Sequence, residues 1–98
     1  MPPLKGSFMS TLKAQHILVE KEFEAKDILK KLDEGVTFEK LAHDFSICPS
    51  AKNGGHLGEF PKGRMVPAFE KALLDLDEDE VSDTPIRTQF GYHIIKRL

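Results

Sequence analysis

The last ten residues, 89–98, read QFGYHIIKRL. An imidazole, His93, stands inside a run of Tyr92, Ile94 and Ile95, aromatic and β-branched residues that favour a buried strand. Near the other end, AQHILV at 14–19 repeats the arrangement, with His16 followed by Ile17, Leu18 and Val19. Burying a polar ring costs free energy unless it is hydrogen-bonded, so each histidine needs a partner. What supplies it decides both the fold and the chemistry.

Between these two segments the hydrophobic period changes. Ala25, Ile28, Leu29 and Leu32 follow helical spacing and predict a helix over 23–33, stopped by Gly35. Thr37 is a good N-cap for a second helix, with Val36 and Leu41 placed as a hydrophobic staple. Its expected buried stripe is Phe38, Leu41, Ala42 and Phe45. CPSAKNGG at 48–55 is turn-forming, with one helical turn around Ala51 and Lys52. HLGEF at 56–60 predicts a short strand closed by Pro61. Pro67 suits the first position of a third helix, whose apolar stripe is Phe69, Ala72, Leu73 and Leu76. The acidic stretch DLDEDEVSD at 75–83 reads as a solvated loop, 84–88 as another strand, and TQFG as the turn into the last one. Strands at both chain ends with helices between them predict an α+β domain built on a four-stranded sheet wrapped by three to four helices. Residues 1–10, rich in Pro, Gly and Ser, read as a loose N-terminal tail, and 11–98 as one domain.

Composition narrows the function. Of 98 residues, 40% are hydrophobic and 31% charged, the balance of an ordinary globular chain. A net charge of −2 argues against nucleic-acid binding, which favours a basic face. No apolar run reaches the roughly 20 residues that span a bilayer, so no membrane partner is expected. The start MPPLKGSFMSTLK has no continuous apolar leader. The single cysteine, Cys48, excludes an internal disulfide. These features lead us to expect a cytoplasmic monomer.

Three pieces, HILV at 16–19, GGHLGEFPKGRMVPAFEKA at 54–72 and FGYHIIK at 90–96, together resemble the parvulin-type peptidyl-prolyl cis–trans isomerases, most closely the small single-domain bacterial members. The likeness runs over about residues 12–98. It implies an antiparallel sheet of the parvulin, FKBP-like kind and catalysis of X–Pro bond rotation in flexible polypeptide segments, without a cofactor or metal and without a covalent step. Position by position, it implies that His16 and His93 are the family's paired histidines on neighbouring strands. Cys48 then stands where members carry Cys or Asp, and Thr88 supplies a hydroxyl to the histidine network. Leu57, Met65, Phe69 and Phe90 become walls of the proline pocket, with Arg64 beside it. Members requiring phosphoserine or phosphothreonine before proline carry a long basic loop after the first strand. Here that stretch is VEKEFEAKD, 19–27, short and more acidic than basic. The partner expected is therefore an unphosphorylated proline-containing polypeptide.

Blander readings compete with these. A strand histidine is more often a satisfied core residue than a catalytic one, and Met65, Phe69 and Phe90 could be core alone. His43 and His56 read as surface residues. A lone cysteine with histidines elsewhere could mark a thiol hydrolase, although nothing marks an oxyanion hole. A noncatalytic module gripping proline segments would be expected to lack a pocket residue or a histidine. A zinc site from His16, Cys48 and His93 matches no ligand spacing.

Overall fold

The computed structural model describes residues 11–98; the expected tail, 1–10, lies outside them. Four strands and three α-helices follow in the order β1 (Thr11–Val19), α1 (Glu22–Asp33), α2 (Phe38–Phe45), a 3-10 turn (Pro49–Asn53), β2 (His56–Pro61), α3 (Pro67–Leu74), β3 (Ile86–Thr88) and β4 (Gly91–Arg97). The sheet is antiparallel throughout, ordered β2-β1-β4-β3. The two histidine-bearing segments are thus the two central strands.

Because both central strands are covered on both faces, their residues are buried almost continuously, as Ala14, Gln15, His16 and Ile17 show. The faces alternate residue by residue. Ile17, Val19 and Ile94 pack with Ala25 and Ile28 of α1 and Phe38, Leu41 and Ala42 of α2. Leu12, Ala14 and Ile95 pack on the other side with Phe60, Phe69 and Leu73. Two helices therefore cover one face and α3 the other.

Local signals account for the helix ends. The Glu24 carboxylate accepts the Lys21 N–H at the start of α1, and Gly35, at φ +100, takes the left-handed position after its last turn. Thr37 Oγ1 accepts the Lys40 N–H at the start of α2, and Pro67 opens α3.

Four expectations change. Phe45, the last residue of α2, is 45% exposed rather than buried. Leu76 is buried but lies beyond α3, which stops at Leu74. The strand expected over 84–88 is only Ile86–Thr88. Upstream, the acidic stretch is stitched along β4 instead of running free. Asp79 N–H donates to Arg97 O, Arg97 N–H to Glu80 O, and Ser82 N–H to Ile95 O, with an isolated bridge between Val81 and Lys96. The carboxylates remain exposed, while Ser82 is buried and its hydroxyl accepts the Ile95 N–H.

Candidate active site

His16 on β1 faces the α3 side of the sheet, as does His93 on β4. The register sets His16 opposite Ile95 and His93 opposite Leu18, so the two rings meet diagonally. Their Nδ1 atoms are 3.0 Å apart, with ring centroids at 5.2 Å and planes inclined by 21°. Phe69 of α3 presents itself edge-on to both, at centroid distances of 5.5 and 5.3 Å. His16 is 5% exposed and His93 4%.

A hydrogen-bond chain runs outward from the pair. His93 Nε2 lies 2.7 Å from Thr88 Oγ1, which accepts the Phe90 N–H at 3.1 Å. While accepting that N–H, the threonine hydroxyl can still donate its own proton to His93 Nε2. His93 then carries its proton on Nδ1 and donates to His16 Nδ1, leaving His16 protonated on Nε2. This direction uses every proton in the chain but the last: His16 Nε2 is buried and has no hydrogen-bond partner among the described residues. Burial holds both rings neutral. Desolvation, and then the nearby His93, push the His16 pKa down from 6.5 to about 4. Desolvation does the same to His93, again to about 4.

An open cleft of about 510 Å³ lies against this pair, within the size range of small-ligand sites. Its walls include Cys48, Leu57, Met65, Phe69 and Phe90, all expected from the sequence, together with Leu18, Ile47, Pro49 and Val66, which were not. Ile47 and Pro49 adjoin Cys48, Val66 adjoins Met65, and Leu18 lies two positions from His16 on the same strand. Thr88 reaches the site through His93 rather than by lining the cleft. Arg64 is exposed and lies outside the lining. His43 and His56 are exposed and away from it. Among the described residues that line it, the two imidazoles and the Cys48 thiol are the ionisable groups.

Leu57 reaches the cleft because β2 is irregular. Lys13 pairs with Glu59 but Gln15 with His56, so one residue of β1, Ala14, opposes two of β2, Leu57 and Gly58. Gly58, at φ +72, absorbs the extra residue. Leu57 and Phe60, three positions apart, can therefore pack on the same side of the sheet. A regular strand would send them to opposite faces.

Neither imidazole is bonded to Cys48: both nitrogens of His93 are taken by His16 and Thr88, and His16 Nε2 has no partner. Among the described residues, no group of three or more His, Cys, Asp or Glu side chains is placed to hold a metal ion. None of the helices among those residues is long and apolar enough to cross a membrane.

Comparison with known proteins agrees with this geometry. Residues 9–98 match the family described as "Rotamase: PPIC-type PPIASE domain". The foldase protein PrsA of Geobacillus kaustophilus is 50% identical over 91 residues, which are 92% of this chain and 32% of that protein. The crystal structure of PrsA from Bacillus subtilis superposes with a TM-score of 0.87 at 43% identity, covering 93% of this chain and 36% of that one. The solution structure of NmPin, the parvulin of Nitrosopumilus maritimus, gives a TM-score of 0.80 at 51% identity, covering 91% of this chain and 96% of that one. The chain belongs to the PPIC-type peptidyl-prolyl isomerase family, the parvulins. It spans about a third of the length of the PrsA relatives and nearly all of NmPin.

Proposed function

We propose that this chain catalyses cis–trans rotation about X–Pro bonds in flexible polypeptide segments, noncovalently, without a cofactor and without requiring phosphate before proline. One observation carries the reading: an apolar cleft, sized for a proline ring and its neighbours, rests on a buried pair of neutral imidazoles. An X–Pro amide is held planar by conjugation and turns over in tens to hundreds of seconds unaided. As it twists, conjugation is lost, and the bond becomes less polar than in the ground state. A dry wall of Leu57, Met65, Phe69 and Phe90 grips the pyrrolidine ring while the preceding carbonyl swings. Each roughly 1.4 kcal/mol by which the cleft favours the twisted form over the planar one speeds rotation about tenfold.

The absence of phosphate recognition is supported at the other rim. Strand β1 ends at Val19 and α1 begins at Glu22, a connection too short to present a basic loop. Among the described residues no lysine or arginine lines the cleft, so a phosphate within it would be desolvated without a cation to pair with. The noncovalent reading is supported by Cys48 having no hydrogen bond to either imidazole. A cytoplasmic address belongs to the same proposal, supported by the single unpaired thiol. The test is a protease-free isomerisation assay on tetrapeptides X–Pro with X varied. Leucine or phenylalanine before proline is expected to turn over faster than phosphoserine; the reverse order overturns the proposal.

A further inference from the structure

Gln15 is the neighbour of His16 on β1, yet it faces the other side of the sheet, beneath α2. It is only 1% exposed. Both protons of its amide are used: Nε2 donates to Gly54 O at 2.9 Å and to Glu39 Oε2 at 3.1 Å. A hydrocarbon side chain would be buried here at less desolvation cost, so the meaning of the amide lies in what it holds.

What it holds is the far end of the Cys48 loop. Cys48 precedes the 3-10 turn Pro49–Asn53, and Gly54, at φ +70, closes it. The Gly54 N–H donates to Ala51 O and the Gly55 N–H to Ser50 O, while Ala51 N–H donates to Cys48 O. The loop is thus braced internally from Cys48 to Gly55. Its two ends are strapped to one strand. At the near end, Ile47 N–H donates to Leu18 O and Leu18 N–H to Ser46 Oγ. At the far end, successive carbonyls of Gly54 and Gly55 are taken by the Gln15 amide and the His16 backbone N–H. The loop replaces β2 as the partner of β1 beyond Gln15, satisfying backbone groups that would otherwise be orphaned. Strand β1 therefore positions the His16 ring on one face of the sheet and, through the residue before it, fastens the loop that carries Ile47, Cys48 and Pro49 into the cleft.

We propose that Gln15 is a positioning residue for the isomerase site: its buried amide, anchored on Glu39 and clamping Gly54, fixes the Cys48 loop against β1 and so sets the distance between the Cys48 wall of the cleft and the histidine floor. This deepens the proposed function and rests on it for the catalytic consequence, though not for the structural one. Glu39 is well suited as the anchor. Its carboxylate is kept ionised below the ordinary glutamate range by its own backbone N–H and by the Gln15 amide.

The experiment is Gln15→Leu in the full 98-residue chain, with three readouts. Cys48 alkylation by iodoacetamide under native conditions is expected to quicken by about fivefold or more, because the loop opens locally more often. Turnover of a leucine–proline peptide is expected to fall about tenfold in kcat with little change in KM, since Leu57, Met65 and Phe69 still grip the ring. Urea unfolding reports the purely structural effect. A folded variant that is less stable, yet keeps the parental alkylation rate and kcat, overturns the proposal. Should Gln15→Leu fail to fold, Glu39→Ala decides instead: Glu39 is exposed, its loss removes one of the two acceptors, and both changes are expected in smaller degree. Unchanged alkylation in that variant overturns the proposal as well. If the parental chain turns over no X–Pro peptide, the isomerase reading fails, while the alkylation comparison still tests the clamp.

Discussion

His16 and His93 approach nitrogen to nitrogen, Nδ1 to Nδ1 at 3.0 Å, so a single proton must lie between them. Two imidazolium rings could not sit this way, since both nitrogens would be donors. The site is therefore built for the neutral state, and protonation works against the fold. Both rings have folded pKa values lowered from 6.5 to about 4. The folded state thus binds fewer protons than the unfolded chain between these values. Stability is full above about pH 6.5, falls as pH drops towards about 4, and levels off for these groups below that. The first ring to protonate accounts for roughly 3 kcal/mol of this loss. Turnover should be nearly flat above neutrality, because rotation transfers no proton. Unfolding free energies and kcat/KM measured from pH 4 to 8 check both statements. A bell-shaped rate profile around neutrality with constant stability would mean an exposed acid–base couple.

The direction of the hydrogen-bond chain can be read separately. Thr88 Oγ1 accepts from Phe90 N–H; with its own proton given to His93 Nε2, His93 is expected as the Nδ1–H tautomer and His16 as the Nε2–H tautomer. Nitrogen-15 chemical shifts of the two side chains at neutral pH distinguish the four ring nitrogens. Thr88→Val removes the donor to His93 Nε2 and frees the chain to reverse. It is expected to shift the tautomer populations and to destabilise the fold by about 1–2 kcal/mol.

Two glycines with similar backbone angles should behave differently. Gly35 and Gly55 both have positive φ, +100 and +86, but a Cβ on Gly35 meets nothing within 4 Å. On Gly55 it would sit 2.5 Å from His16 O and 3.1 Å from the Ala42 side chain. Gly35→Ala should cost only the left-handed strain, about 1 kcal/mol. Gly55→Ala must also push the loop off β1, and should cost more than about 2 kcal/mol while lowering turnover. Denaturant unfolding of the two variants, side by side, gives the comparison.

The sequence carried the fold where pattern and geometry share a period. Helical spacing placed α1, α2 and α3, and the apolar runs around His16 and His93 placed the central strands. What it could not carry were departures from period. Phe45 continues the α2 stripe, but periodicity says which way a side chain points and not what stands there to cover it. Together with Phe23 it lines an outer groove instead. Leu57 and Phe60 share a side only through the Gly58 bulge. Gln15 is buried as deeply as the aliphatic residues around it, and nothing in a one-dimensional pattern separates a clamping amide from a surface one. The pocket walls and the histidine pair were legible through the family's motifs, because three weak signals in fixed order amount to a strong one. Composition alone would have stopped at a globular α+β chain.

The last prediction concerns the thiol. Cys48 lines the cleft, half-buried, with no bond to either imidazole. If its part is to shape and polarise one wall, a carboxylate of similar size can stand in for it. Cys48→Asp should then keep turnover within about tenfold of the parent. A larger side chain is the contrasting case. Cys48→Phe would fill cleft volume that the substrate needs, and should raise KM more than it lowers kcat. A nucleophile obeys neither rule, because a carboxylate in different geometry cannot replace a thiolate attacking carbon. Loss of more than about a thousandfold in Cys48→Asp, roughly 4 kcal/mol, with the fold intact by unfolding and with the His16–His93 tautomers unchanged, would establish covalent chemistry and end the noncovalent account.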